Sequence, residues 1–411
     1  MDSLTQVVLG AACGELVAGR KIGNRAMLWG ALGGTIPDFD VFAGFFTDEI
    51  TGIAFHRGFM HSILFAVLAP WGLAWLTHRF YSTDFYRRKG YKLFFSLFWL
   101  VFYLIAAVGI NLIPIILNGS FSWWTFSPTL ALGIWLVRKL WLDYRKRDLA
   151  SVELPYFTWV QVFFWSIFTH PLLDCFTNYG TQIWQPFADT RIQWNTVSVV
   201  DPLYTIPFAL FLLVAAWLVR LSKLRYSLAW AGMLWGIGYL FYTWNHKQLV
   251  DAAVKKAMAE RGWHYSRFQT NPTIFNNIVW TATVESDSVY YFGLYGFNDA
   301  PPSLRPISVI FKNHSLLDHI PEDDRAKRFL RWFTNGYFNV LPRGKDTFQV
   351  NDLRFGLLGD TLSGNNYVFP FLLFKNEQGE WDVLQDNKRV SDPEMNKQAM
   401  KRLWKRVIGE E

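Results

Sequence analysis

From Leu93 to Leu117 the chain contains no Asp, Glu, Lys, Arg or His. To lie on the surface of a soluble protein, such a run would need a polar stripe at helical spacing. The segment L-F-F-S-L-F-W-L-V-F-Y-L-I-A-A-V-G-I shows none. It is long enough to cross the ~30 Å of hydrocarbon that about 20 helical residues span. Apolar runs of this kind occupy residues 60–78, 92–117, 122–141, 157–173, 203–220 and 227–245, after two shorter pieces at 4–19 and 26–37. The short pieces carry Gly10 and Gly14, then Gly30, Gly33 and Gly34, small residues at helical intervals that predict a tightly packed hairpin. The expectation is a polytopic all-α membrane domain of about eight hydrophobic helical segments, the first two short. Hydrophobic residues at 51% and charged residues at 18% agree with a membrane protein.

Basic residues give an orientation. Arg20, Lys21 and Arg25; Arg79, Arg87, Arg88, Lys89 and Lys92; Arg138, Lys139, Arg145, Lys146 and Arg147; and Arg220, Lys223 and Arg225 each join an odd-numbered apolar segment to the next. The positive-inside rule makes these connections cytoplasmic. The connections at 38–59, 118–121 and 174–202, and everything after 245, are then extracytoplasmic. The net charge of +7 resides in these short clusters, with no basic stripe interleaved with aromatics, so a nucleic-acid partner is not expected. The start M-D-S-L-T-Q lacks the basic region of a cleavable signal, which leaves targeting to the first apolar helices. Cys13 and Cys175 lie in or beside apolar segments and read as buried thiols.

Past residue 245 the pattern changes. Residues 247–262 mix Lys, Asp and Glu with Ala and Val, as an amphipathic helix does. Short β-branched and aromatic runs follow (I-V-W-T-A-T-V, V-Y-Y-F-G-L-Y, I-S-V-I-F, Y-V-F-P-F-L-L-F, W-D-V-L), broken by turn residues, before a charged helix at about 392–407. Residues 1–245 thus form the expected helical membrane domain, and residues 246–411 an extramembrane α+β domain.

Ionisable residues are rare among the apolar runs, and they gather. Asp38 and Asp40 follow Pro37; His56, Arg57 and His61 lie in F-H-R-G-F-M-H-S; His170 and Asp174 stand one helical turn apart in T-H-P-L-L-D; Asp201 precedes Pro202. The orientation drawn from Lys and Arg alone puts all of these pieces on the outer face. Imidazole and carboxylate donors together, without thiolate, suit Zn, Mn or Fe(II). Asp38, Asp40, His56, His61, His170 and Asp174 are the expected ligands of one or two divalent ions, with Arg57 and Asp201 as catalytic partners. Each residue also has a structural alternative. Asp38 could stop a helix, His170 and Asp174 could form an i,i+4 pair, and Asp201 could cap a helix or turn. Arg191 could hold an anion or anchor to lipid headgroups, and Glu15 could pack helices through a hydrogen bond. His78, His246, His264, His314 and His319 lack such company.

The motifs I-P-D-F-D, H-R-G-F-M-H-S and T-H-P-L-L-D, with N-Y-G-T, W-Q-P-F and V-D-P-L-Y-T, resemble the bacterial LexA-binding, inner-membrane-associated hydrolase family, YdjM-like, over about residues 1–205. The resemblance implies a membrane-bound metal-dependent hydrolase of the inner membrane. Many members of that family carry a His near the N-terminus where this chain has Gln6. The combined expectation is metal-activated hydrolysis of an ester or phosphoester, of a lipid or lipid-linked substrate, at the outer interface. The alternative is a non-catalytic scaffold with a structural metal, whose C-terminal domain binds a protein partner.

Overall fold

The computed structural model describes residues 1–300, 302–357, 367–386 and 393–410. The helical part runs through α1 (Ser3–Ile22), α2 (Asn24–Thr35), a 3-10 helix over Ile36–Phe45, α3 (Glu49–Phe55), α4 (Ile63–Ser82), α5 (Lys89–Asn118), α6 (Trp123–Val137), α7 (Tyr156–Asp174), α8 (Pro202–Trp217) and α9 (Lys223–Glu260). The sheet-rich C-terminal part holds β1 (Arg267–Pro272), β2 (Val279–Glu285), β3 (Val289–Gly296) and β4 (Leu304–Phe311), then α10 (Arg325–Phe333), β5 (Phe338–Gly344), β6 (Thr347–Asp352), β7 (Pro370–Lys375), β8 (Trp381–Gln385) and α11 (Pro393–Ile408). Two compact units result, Met1–Pro70 with Gln161–Glu411, and Trp71–Val160.

Among the described residues, two helices are long and apolar enough to cross a membrane, α4 and the Lys89–Ile115 portion of α5. This corrects the expectation of a polytopic domain with about eight spans, for several physical reasons. α8 has 16 residues, which at 1.5 Å per residue gives roughly 24 Å, short of the ~30 Å hydrocarbon layer. α1 and α2 spend their apolar side chains on protein. Val8, Leu9, Ala12, Cys13 and Met27 share one core with Leu173, Tyr204 and Phe208. α7 is interrupted by Gln161, Ser166, Thr169 and His170, and the apolar half of α9 is diluted by Gly, Ser, Trp and Tyr.

The hairpin of α1 and α2 sets the position of everything around it. A Cβ on Gly30 would meet Gly14 Cα at 2.8 Å, and one on Gly10 would meet Gly34 Cα at 2.9 Å. The two backbones therefore touch, as the glycine spacing predicts. α7 lies across this hairpin, with Ser166 Oγ donating to the Gly10 carbonyl at 3.2 Å. A buried ion pair ties α1 to α9, Arg225 Nε and Nη2 each donating to a Glu15 oxygen at 2.5 Å. That pair accounts for Glu15 inside an apolar helix.

α9 continues unbroken past residue 245, and its later turns place Val250, Val254 and Met258 against Trp280, Ala282 and Val284 of β2. The strands form two antiparallel four-stranded meanders, ordered β1-β2-β3-β4 and β5-β6-β7-β8. β2 and β3 pair with Thr281 opposite Leu294, and Val279 to Val284 of β2 are buried on both faces. Ile50 of α3 enters the core made by Phe329, Phe333, Phe338 and Phe371, which anchors the segment between Asp40 and His56 to the sheets. In the unit Trp71–Val160, Asn111 Nδ2 of α5 donates to Thr129 Oγ1 of α6 at 2.9 Å, and Thr125 Oγ1 donates back to Asn111 Oδ1 at 3.1 Å.

Candidate metal centre

α2 does not stop at Pro37. It tightens into the 3-10 helix, where three residues make a turn. Asp38 and Asp40 consequently point in different directions. Asp38 reaches the two buried imidazoles from the surface side, whereas Asp40 is buried behind one of them. His61 closes a short 3-10 turn, and Ser62 then caps α4 by accepting from the Phe65 amide at 3.0 Å. His170 and Asp174 come from the last turn of α7, on one face as their i,i+4 spacing requires.

These elements bring four side chains together. His61 Nε2 and His170 Nε2 are 3.1 Å apart. Asp38 Oδ1 lies 3.7 Å from the first and 3.4 Å from the second. Asp174 Oδ2 lies 3.4 Å and 3.7 Å from the same two atoms. A divalent ion held tetrahedrally by nitrogen and oxygen at ~2.0–2.1 Å requires donors about 3.3–3.4 Å apart. The separations straddle that value. Asp38, His61 and His170 form a possible metal-binding triad, the one such group of three or more among the described residues.

The remaining ring nitrogens each face an oxygen of the protein. His170 Nδ1 is 2.5 Å from the Gly34 carbonyl, an atom that can only accept, so the proton sits on Nδ1 and the Nε2 lone pair faces the centre. His61 Nδ1 has Asp40 Oδ2 at 3.0 Å, close but off the line of a good hydrogen bond. Asp40 also accepts from His56 Nδ1 and from the Arg57 amide, both at 2.8 Å. It is the carboxylate behind a histidine, a common support for metal-binding imidazoles.

Arg57 has φ 59°, in the left-handed region that non-glycine residues rarely adopt. This turn lets its amide reach Asp40 while its side chain reaches Asp174, with Nε 3.2 Å from Oδ2. Its Nη1 donates to Thr177 Oγ1 at 2.8 Å, and its guanidinium lies over the Tyr179 ring. The Met1 amine pairs with Asp174 Oδ1, and Gln6 Nε2 donates to that same oxygen at 3.0 Å. Asp174 needs these partners, because a carboxylate at a helix C-terminus opposes the helix dipole. Gln6 Oε1 and Asp174 Oδ2 are buried with no hydrogen-bond partner.

Charge tells the same story. Burial pushes Asp38 up, but the imidazoles of His170 and His61 beside it outweigh burial and hold the carboxyl far below its usual range. Burial likewise raises Asp40, and His56 and His61 bring it down to about 2. For Asp174 the opposing influence is first Arg57, then the Met1 amine, and the result is again well below normal. Burial lowers His61, yet Asp174, Asp38 and Asp40 together raise it to about 10. Three carboxylates thus outnumber Arg57 and the Met1 amine, and a proton on His61 takes up the charge that a bound cation would supply.

The other expected residues lie apart from this point. His56 is partly exposed and makes its hydrogen bond to Asp40, its ring centre 6.2 Å from that of His61. Asp201 caps α8 through the Leu203 and Tyr204 amides and accepts from Tyr239 Oη at 2.8 Å. Arg191 stacks on Tyr179, Trp332 and Phe333 and donates to the Tyr179 carbonyl at 2.7 Å. Sequence reasoning missed the Gly34 carbonyl, Thr177 and Tyr179. A backbone acceptor leaves no mark in a sequence; Tyr179 was visible only as the aromatic in N-Y-G-T.

No curated protein and no solved structure matches the chain. The family model of the YdjM inner membrane protein matches residues 1–249, more than half of the 411, and that stretch includes every residue of the cluster. The chain belongs to the YdjM inner membrane protein family.

Proposed function

We propose that this protein is a membrane-bound metal-dependent hydrolase acting on an ester or phosphoester, lipid or lipid-linked, at the outer membrane interface. The observation that carries the reading is the pair of Nε2 atoms 3.1 Å apart with a carboxylate alongside, His170 Nδ1 being held by the Gly34 carbonyl and Asp40 Oδ2 standing 3.0 Å from His61 Nδ1. A divalent cation seated there would act as a Lewis acid, able to make water nucleophilic near neutral pH and to polarise the bond under attack. Asp38, His61 and His170 hold the cation, and Asp40 and the Gly34 carbonyl keep the two rings oriented. Arg57 offers positive charge to an anionic substrate group. His56, partly open to solvent and held by Asp40, is placed to pass a proton to a leaving group.

Asp174 separates this reading from a structural one. Its Oδ2 stands where a fourth ligand would, yet it also faces Arg57 at 3.2 Å. If it stays with Arg57, one coordination position is left for water, as in catalytic sites; if it turns to the metal, the shell is closed, as in structural sites. The structural alternative is a scaffold whose C-terminal part recruits a protein. The outer location rests on charge around α4. No Lys or Arg occurs between Arg25 and Arg57, whereas Arg79, Arg87, Arg88, Lys89 and Lys92 follow at its other end.

Metal analysis of the purified protein beside a His61→Ala, Asp174→Ala variant tests the site, and equal metal in both would remove the basis for it. Hydrolysis of chromogenic phosphomonoesters and diesters by the loaded protein, lost in His61→Ala, tests the chemistry. A wild-type protein that binds one equivalent of metal and hydrolyses neither points to the scaffold.

A further inference from the structure

The same 3-10 helix that delivers Asp38 and Asp40 has a second face. With three residues per turn, Ile36, Phe39, Phe42 and Phe45 fall in one row, and Pro37 and Asp40 fall in another. The second row is buried toward the cluster, with Asp40 against His61. The first row points outward. Phe39 and Phe42 have ring centres 5.9 Å apart, and Phe42 and Phe45 stack at 6.1 Å, so the row is a continuous aromatic ridge. Phe45 is 78% exposed and the adjoining Phe46 is 88% exposed, with Val41 also open beside them.

Isolated exposed apolar residues are ordinary, but a contiguous ridge of this kind marks a surface that meets something apolar. Its setting identifies what. The 3-10 helix packs beside the turn that ends at His61, and that turn leads directly into α4, one of the two helices long and apolar enough to cross a membrane. The first turns of α4 also expose Val67 and Leu68. The ridge therefore lies beside the start of a helix long and apolar enough to cross a membrane. Of the acids along this stretch, Asp38 and Asp40 are turned to the imidazoles, and Asp48 is paired with Arg325 at 2.7 Å, which lessens their repulsion from anionic headgroups.

We infer that Phe39, Phe42, Phe45 and Phe46 form a bilayer-docking ledge, inserted among lipid chains, that sets the metal cluster at the level of the headgroups. The aromatic face enters the lipid while the opposite face keeps Asp40 behind His61, so a single helical segment both anchors the protein and builds the site. The inference does not depend on hydrolysis and holds equally for a structural metal.

Nitroxide labels on F42C, F45C and F46C test it, with K256C as the aqueous control, in full-length protein placed in nanodiscs of phosphatidylethanolamine and phosphatidylglycerol. Collision with oxygen reports lipid and collision with a water-soluble nickel chelate reports water. Oxygen should dominate at positions 42, 45 and 46, and the chelate should dominate at 256. Chelate dominance at 45 and 46 overturns the ledge. So does shielding from both reagents, which would mean that protein, a second copy or another partner, covers the ridge. Metal content equal to wild type in each labelled protein verifies that the fold is intact, and it separates failure of the ledge from failure of the site.

Discussion

Replacing Asp40 probes how the cluster is built. Its side chain is fully buried and serves three groups: His56 Nδ1 and the Arg57 amide at 2.8 Å, and His61 Nδ1 at 3.0 Å. Asp40→Asn keeps the volume and one acceptor oxygen but removes the charge that orients His61. Loss of a carboxylate behind a metal-binding histidine typically weakens affinity about 10–100-fold, or ~1.4–2.7 kcal/mol. Asp40→Ala also leaves the buried Arg57 amide without an acceptor, which adds about 1–3 kcal/mol of destabilisation. The expected order of zinc affinity is wild type, then Asp40→Asn, then Asp40→Ala, with His61→Ala the weakest. Competition against a chromophoric chelator in detergent measures the affinities, and thermal melts of the metal-free proteins measure the stability term. Wild-type affinity in Asp40→Asn would refute the orienting role. Loss of binding as complete as in His61→Ala would mean that Asp40 itself touches the metal.

The buried Glu15–Arg225 pair predicts that Glu15→Gln destabilises the protein by about 3–5 kcal/mol, because Arg225 is left buried and uncompensated. Glu15→Leu with Arg225→Met should recover most of that loss in a melt, and no recovery would argue against the pair. Asp201→Ala should cost about 0.5–2 kcal/mol through the lost helix cap, with metal content unchanged; reduced metal content would bring Asp201 into the site. In the metal-free protein His61 has a pKa of about 10 against an ordinary 6.5, so the stability it contributes is complete below pH 6.5 and disappears as the pH rises toward 10. The difference in Tm between metal-loaded and metal-free protein should therefore widen across that interval, and a constant difference would contradict the charge account.

The gathering of His and Asp was visible because such residues stand out against an apolar background, and Asp38, His61, His170 and Asp174 do converge. Their division of labour was not visible. It depends on the segment after Pro37 being a 3-10 helix, which turns Asp40 away from Asp38, and on a carbonyl at Gly34. The count of membrane spans failed for a related reason. Hydrophobicity records that a side chain avoids water and does not record whether lipid or protein replaces it. Val8, Leu9 and Ala12 of α1 face Leu173, Tyr204 and Phe208, a destination no window average can distinguish from hydrocarbon. The strands were easier, because I-V-W-T-A-T-V and V-Y-Y-F-G-L-Y carry β-branched and aromatic residues between turn signals.

α10 and the turn after β6 grip the segments around the cluster from residues that lie beyond 249, where the family match ends. Arg325 holds Asp48, Trp332 Nε1 donates to the Asp189 carbonyl at 2.9 Å, Arg354 Nη1 reaches Gln193 at 3.1 Å, and Phe333 packs edge-on to Tyr179. Excising the shared portion would strip Tyr179 of its aromatic neighbour and leave Asp48 without a counterion. In this chain, then, the stretch common to the family draws on contacts from outside it, made to the very segments that flank the imidazoles.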